Sequence, residues 1–348
     1  MPGWYGRWIQ RWERELVARD RDRFPRPLEW GWEWLRRTPV NGLPDRIPET
    51  AALDCLREWN IRALSRSPEF FSAPAVRDFE LRGQWLQFSS PAPSGDPAND
   101  QVRARWFEPR PSRSRPRAVI VLPQWNADAE GHVALCRGLQ RLGIAALRLS
   151  LPWHDARKPS GLARAEYAVD ANLGRTIYAA RQAVCDVRAC LDWLQAQGYE
   201  DMGILGTSLG SCYALLASSH EPRLKVNVFN HVSPWFGDVV WTGLATRHVR
   251  DSLAGQLNRE QLRASWLAIS PAHYLPRMAG ARKHNLLIYA RYDLTFLPEL
   301  SRQALAEFKR LGIPHEIRVL PCGHNTTGQT PFQWLDGYWM VQFLRRWL

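Results

Sequence analysis

Residues 202–219 read MGILGTSLGSCYALLASS, and the fold turns on this run. Residues 202–205 form the short apolar segment that a buried strand needs, and 209–219 are apolar-rich and of helical length. Gly206-Thr207-Ser208-Leu209-Gly210 between them leaves room only for a tight strand-to-helix turn. A serine on such a turn has a strained backbone that lifts its hydroxyl above the sheet, and flanking glycines avoid collision with the neighbouring strand and helix. The helix N-terminus behind Ser208 adds positive potential for a developing oxyanion. A bare G-x-S-x-G match has little weight; its position between strand and helix distinguishes a nucleophile from an ordinary serine in a glycine-rich turn.

Outward from this turn the pattern repeats. Strand-like runs at 118–122, 144–151, 226–229, 286–290 and 316–320 alternate with helical patterns at 133–142, 172–197, 299–311 and 332–348. Gly143, Gly198 and Gly312 stop three of these helices. Apolar strands alternating with amphipathic helices predict a mostly parallel sheet covered on both faces. Two further runs, 79–88 and 101–107, flank the turn-rich stretch 91–100 and predict an antiparallel pair. More than fifty residues separate the strand near Phe229 from the one at Leu286, too many for a simple crossover. They carry helical patterns at 238–253 and 259–269. We therefore expect a helical cap insertion at about 231–282 over the strands' C-terminal ends, its Trp235, Trp241 and Trp266 either lining a pocket or packing the cap.

A serine nucleophile needs a base, and the base needs an orienting carboxylate. Asp293 falls just past the 286–290 strand and His324 just past the 316–320 strand, in the chain order Ser, Asp, His. Asp238 is the reserve acid, with capping of the first cap helix as its alternative role. His154, in Trp153-His154-Asp155, and His231 also follow strands. Each is either substrate-facing or a hydrogen-bonded structural histidine.

With these residues in place the sequence resembles the α/β-hydrolase superfamily over about residues 79–348, most closely its esterase and dienelactone-hydrolase branch. The resemblance rests on Gly206 to Gly210, on Ile269-Ser-Pro-Ala-His-Tyr274 ahead of a strand ending in an acid, and on the Gly323-His324 turn. It implies an oxyanion hole formed by the backbone N–H after the nucleophile, here Leu209, and a second N–H from the loop after the 118–122 strand. Relatives often carry His-Gly and a large residue there. This chain has Pro123-Gln124-Trp125, so Trp125 holds the matching position and Gln124 is the reserve. A second glycine common after the turn is replaced by Ser211.

The remaining composition bounds the partners. The 348 residues carry a formal charge of +12, but only four of the 46 basic residues are Lys, and the Arg are spread along the chain, often beside acids. The one dense run, Arg110 to Arg117, sits in a Pro/Ser loop. No basic face interleaved with stacking aromatics appears, so nucleic acid is not an expected partner. Six cysteines without a C-x-x-C pair suit buried free thiols, and nine scattered His give no metal-ligand spacing, so neither a metal nor a cofactor is expected. No apolar run reaches the roughly 18–20 residues of a membrane span. The N-terminus lacks the apolar core of a secretory signal, so a cytoplasmic chain is the expectation.

Residues 1–72 read as a helical N-terminal extension ahead of a hydrolase domain at 73–348. Trp4, Trp8, Trp12 and Leu16 recur every four residues. That stripe would pack against the body or, with its Arg neighbours, make weak contact with a membrane surface. The leading expectation is hydrolysis of a small-molecule carboxylic ester through a serine triad and an acyl-enzyme. Peptidase, thioesterase and acyltransferase chemistry use the same residues, and a non-catalytic binding protein on the same fold is the alternative class. Oligomeric state leaves no mark in the sequence.

Overall fold

The computed structural model describes residues 3–20, 22–110 and 115–348, and its nine strands form one sheet. They are β1 (Glu80–Arg82), β2 (Trp85–Ser89), β3 (Gln101–Phe107), β4 (Arg117–Leu122), β5 (Ala145–Leu149), β6 (Asp201–Thr207), β7 (Leu224–Asn230), β8 (His284–Ala290) and β9 (Glu316–Leu320). The spatial order is β1-β2-β3-β5-β4-β6-β7-β8-β9. β1, β2 and β3 join antiparallel to one another and to β5, and every later pairing is parallel. The predicted single strand at 79–88 is two, because the chain turns back at Gly83 with φ +59°.

Alternation along β4 shows how the sheet is covered. Ala118, Ile120 and Leu122 enter one core, and Val119 and Val121 enter the other. Because a strand's side chains alternate between faces, an all-apolar strand must be buried on both. The first core packs under the long helix Leu173–Ala196, the helix Leu209–His220 that leaves β6, and Pro298–Arg310. Leu56, Trp59 and Ala63 from the N-terminal helix Ala52–Ser65 share it. The second packs under Val133–Arg141, Phe332–Trp347 and Ile9 of the first helix, Trp4–Ala18. Those helices are α1 (Trp4–Ala18), α2 (Ala52–Ser65), α3 (Val133–Arg141), α4 (Leu173–Ala196) and α5 (Leu209–His220).

Between β7 and β8 lie α6 (Phe236–Thr242), α7 (Arg247–Leu253) and α8 (Arg259–Ser265), followed by single 3-10 turns. The predicted helix at 238–253 breaks because Gly243 passes so close to Val239 O and Thr295 O that a Cβ would overlap both. The chain closes with α9 (Pro298–Arg310) and α10 (Phe332–Trp347). Among the described residues no helix is long and apolar enough to cross a membrane. Residues 111–114 of the Arg110–Arg117 run lie outside the described residues.

α1 turns a different face to the body than the four-residue Trp stripe suggests. Tyr5, Ile9, Trp12 and Glu13 face inward, whereas Trp4 and Trp8 are exposed by 75% and 49%. Each four-residue step overshoots a full turn by about 40°. The stripe therefore winds off the interface at its N-terminal end.

The segment after β5 is braced by buried ion pairs. Arg148 pairs with Asp155 at 2.6 Å, and Arg157 pairs with Asp186 of α4 at 2.8 Å, both Arg157 and Asp186 being fully buried. Ser90 Oγ donates a further bond to Asp186 at 2.6 Å. Removing one partner of such a pair strands an uncompensated charge. Arg157→Ala should therefore destabilise the fold by about 3–5 kcal/mol. Urea unfolding measures this, and a midpoint equal to the parent's would contradict it.

Candidate active site

β6 delivers Ser208 to the sheet's C-terminal edge with φ 57° and ψ −119°, a region that non-glycine residues rarely occupy. The surrounding contacts hold it there. Ser208 N–H donates to Asn230 O of β7 at 2.8 Å. A Cβ at Gly206 would overlap the Gly210 backbone, and one at Gly210 would overlap the carbonyls of Leu122 and Pro123. Both glycines are thus required for β6, α5 and the loop after β4 to approach. Ser211 uses its hydroxyl behind the turn, 2.7 Å from Ser208 O and 2.9 Å from His231 O. Leu209 is the first residue of α5, so its N–H has no acceptor within the helix.

The three residues predicted to act together are brought together. Ser208 Oγ stands 2.9 Å from His324 Nε2, and His324 Nδ1 stands 3.0 Å from Asp293 Oδ2. Thr295 and Phe296 N–H donate to the other oxygen of Asp293, at 2.7 and 2.8 Å. Phe296 lies parallel to the His324 ring at 5.2 Å between centroids. His231 joins them, with Nδ1 2.9 Å from the same Asp293 Oδ2 and its ring centroid 4.4 Å from that of His324. It is buried and hydrogen-bonded to Asp293, and it also borders the cavity.

Burial opposes charge at all three titratable groups, and their mutual contacts decide the outcome. For Asp293 burial pushes the pKa up, but His324 and the hydrogen bonds from His231 and His324 hold it far below the ordinary carboxylate range. For His324 burial pushes down, but the Asp293 charge and hydrogen bond leave the net shift upward. His231 shifts downward, first by burial and then by repulsion from His324. His231, Asp293 and His324 also bring three metal-ligating atoms within 4.8 Å of one another. Both imidazole nitrogens facing Asp293 are in hydrogen bonds to it, and the far nitrogen of His324 faces Ser208. That arrangement suits proton transfer.

Several expectations are corrected. Asp238 is no reserve acid, because its carboxyl is fully buried between α6 and α8 and bonded to Arg259 and Arg263. Nor does it cap α6: Trp235 holds the N-cap position and Asp238 lies within the first turn. His154 is fully buried, its Nδ1 2.8 Å from Pro152 O, and burial pushes its pKa down to about 4. The site opens into a cavity of about 860 Å³ lined by Gln124, Trp125, Leu209, Phe236, Val239 and Val240, among others. The segment between β7 and β8 reaches it through Phe236, Val239, Val240, Ala245 and Thr246 rather than through tryptophan. Trp266 is fully buried against Phe236, and Trp235 packs on His273 and Arg263. Trp241 is half-buried against the core.

Trp125 and Gln124 both line the cavity; the Trp125 indole donates to Ala165 O at 2.9 Å and stacks on His248. Sequence reasoning missed His132, which lines the cavity with φ 68° and places Nε2 2.9 Å from Thr207 Oγ1. No periodicity or spacing marks it.

Sheet order, turn geometry and the histidine–aspartate pair define an α/β hydrolase fold. The family model described as "Alpha/beta hydrolase domain containing 18" matches residues 97–273, just over half of the chain, and the chain belongs to that family. No curated protein matches it significantly. Similar solved structures include acetyl xylan esterase 1 from Thermoanaerobacterium sp. JW/SL YS485, with TM-score 0.58 and 17% identity over 93% of this chain and 99% of that one. The acetyl xylan esterase from Paenibacillus sp. R4 gives 0.57 and 14% over 91% and 99%. The acylaminoacyl peptidase of Pyrococcus horikoshii gives 0.57 and 13% over 78% of this chain, which spans 42% of the peptidase's length.

The opposite shifts of the two histidines are measurable. In an imidazole NMR titration His324 should titrate above the ordinary value of about 6.5 and His231 below it. Asp293→Asn should lower the His324 midpoint. Since the native pKa of His324 is raised, its pairing with Asp293 contributes stability in full below about 6.5 and loses it as pH rises through the native value. A His324 midpoint below that of His231 would contradict this reading.

Proposed function

We propose that the chain is a serine hydrolase of small-molecule carboxylic esters. What carries the proposal is the continuous chain from Ser208 Oγ through His324 to Asp293, at 2.9 and 3.0 Å, opening on the cavity. Ser208 Oγ attacks the acyl carbon while His324 Nε2 takes its proton. The tetrahedral intermediate collapses to an acyl-enzyme as His324 returns that proton to the leaving alcohol. Water, activated by the same imidazole, then releases the acid. Asp293 fixes the imidazole tautomer and stabilises its protonated form, and His231 helps hold Asp293 in place. The oxyanion is received by the N–H of Leu209 and that of Trp125, with Gln124 as the reserve.

In this reading 73–348 is the catalytic unit, 231–282 is its cap and 1–72 is an extension packed on it. The six free cysteines suit a reducing cytoplasm. The preference for an ester over an amide takes its cue from the two acetyl xylan esterases, which the chain spans almost end to end.

The test is a series of p-nitrophenyl esters from acetyl upward, beside an amide and a thioester. Ser208→Ala should abolish hydrolysis with the melting temperature nearly unchanged. Asp293→Asn should lower the rate by about 10⁴-fold through the wrong imidazole tautomer. Asp238→Asn should leave it within a few-fold of the parent. Most activity surviving in Ser208→Ala would remove the assignment, and faster cleavage of the amide would make the chain a peptidase.

A further inference from the structure

The loop that carries His324 is held from outside the sheet by side chains of the N-terminal extension, above all Glu13. Glu13 of α1 is fully buried although it is acidic and helical. Its Oε1 accepts from Thr326 N–H at 2.6 Å, and its Oε2 accepts from the backbone N–H and the side-chain amide of Asn325, both at 3.0 Å. These are the two residues that follow His324. The residue before it fits the same contact, since a Cβ at Gly323 would overlap the Glu13 side chain. About two helical turns before Glu13 in α1, Tyr5 OH donates to Pro321 O at 2.7 Å, and the adjacent Trp12 packs on Phe332. α1 thus grips both ends of the turn.

The opposite face of that turn is the cavity, where Asn325 and Thr327 stand with Ser208 and His324. Within the loop, Gly323 N–H donates to Thr326 Oγ1 at 2.8 Å and Thr327 Oγ1 donates to Gly323 O at 2.8 Å. The loop is therefore a closed knot of short bonds, and Glu13 anchors its Asn325–Thr326 side from outside. A buried carboxyl kept only for stability could be replaced by apolar packing, because paired buried charge adds little net stability. Aimed at the backbone beside His324, it fixes where the imidazole stands.

We infer that Glu13 is a positioning residue of the active site: through the Asn325–Thr326 backbone it sets the place of His324 between Ser208 and Asp293, so the N-terminal helix is part of the catalytic apparatus. The inference rests on the hydrolase reading above for what His324 does, but not for where it stands.

The test compares Glu13→Ala, Glu13→Gln and, as a control on the exposed face of α1, Arg11→Ala in the full chain. The readouts are kcat and KM on the best p-nitrophenyl ester, and the downfield NMR resonance of the His324 Nδ1 proton bonded to Asp293. A misplaced catalytic group costs up to about 10²-fold in rate. Glu13→Ala should lose about that much kcat with KM within about twofold. Glu13→Gln, which turns an acceptor into a donor against one N–H but keeps the shape, should lose about tenfold, roughly the worth of one charge-assisted hydrogen bond. Arg11→Ala should behave as the parent.

The His324 resonance should broaden or shift in both Glu13 variants and stay sharp in the control. A folded Glu13→Ala with parental kcat and resonance would overturn the inference. So would a loss confined to melting temperature, or one shared equally by kcat and KM. Should Glu13→Ala not fold, Glu13→Gln decides on the same readouts. A parent that cleaves no ester but shows the resonance would count against the reaction, and the resonance in the Glu13 variants would still decide the role of Glu13.

Discussion

Ser208 occupies a backbone conformation that costs of order 1–3 kcal/mol and persists only where the surroundings over-determine it. Much of the central architecture supplies that determination. β6 must end against β7 so that Ser208 N–H can reach Asn230 O, and α5 must start at once. The loop after β4 must lie close enough for Gly210 to touch the carbonyls of Leu122 and Pro123. Strand order follows from the same need, with β6 between β4 and β7 at the centre of the sheet. The strained serine stands at the cavity, and the loop after β9 brings His324 to within 2.9 Å of it, the place a base would take in the proposed reaction.

The electrostatic centre is the Asp293 carboxyl, buried at the end of β8 and saturated with donors. Two backbone N–H groups occupy one oxygen and two imidazoles approach the other. Burying an ionised carboxyl without partners is prohibitive, so each contact serves solvation as well as orientation. Burial lowers both histidines; the Asp293 charge and hydrogen bond carry His324 upward on balance, whereas His231 is held down by burial and by repulsion from His324. A neutral His231 beside a protonatable His324 avoids placing two cations 4.4 Å apart. In the proposed reaction this asymmetry makes one imidazole the proton carrier and the other a support.

The parts of this arrangement that depend on local pattern were legible in the sequence. β3 and β9 have the expected limits, and β4, α3 and α4 differ by a residue or two, because apolar runs and glycine stops register local backbone preference. The glycines around Ser208 were readable for the same reason. What escaped was set by tertiary contact. Nothing along the chain marks Glu13 as buried, since its neighbours are Trp12 and Arg14 and its partners lie more than 300 residues away. His132 reads as a scattered histidine until α3 is placed, and the contact of His231 with Asp293 shows only once β7 and β8 are adjacent. The tryptophans between β7 and β8 stayed ambiguous because a large aromatic serves equally to fill a pocket or to hold an insertion together; here Trp266 is sealed in the core. α1 deceived through its period, a four-residue repeat on a 3.6-residue helix.

The central claim is that Ser208 is an activated nucleophile whose reactivity depends on His324. Mass spectrometry after incubation with a fluorophosphonate measures this without choosing a substrate. The account predicts one phosphonyl group per chain, on Ser208 alone, formed at a rate that collapses in His324→Ala while the fold is retained. No adduct on Ser208 in the parent, or labelling of the His324→Ala protein at the parental rate, would contradict it.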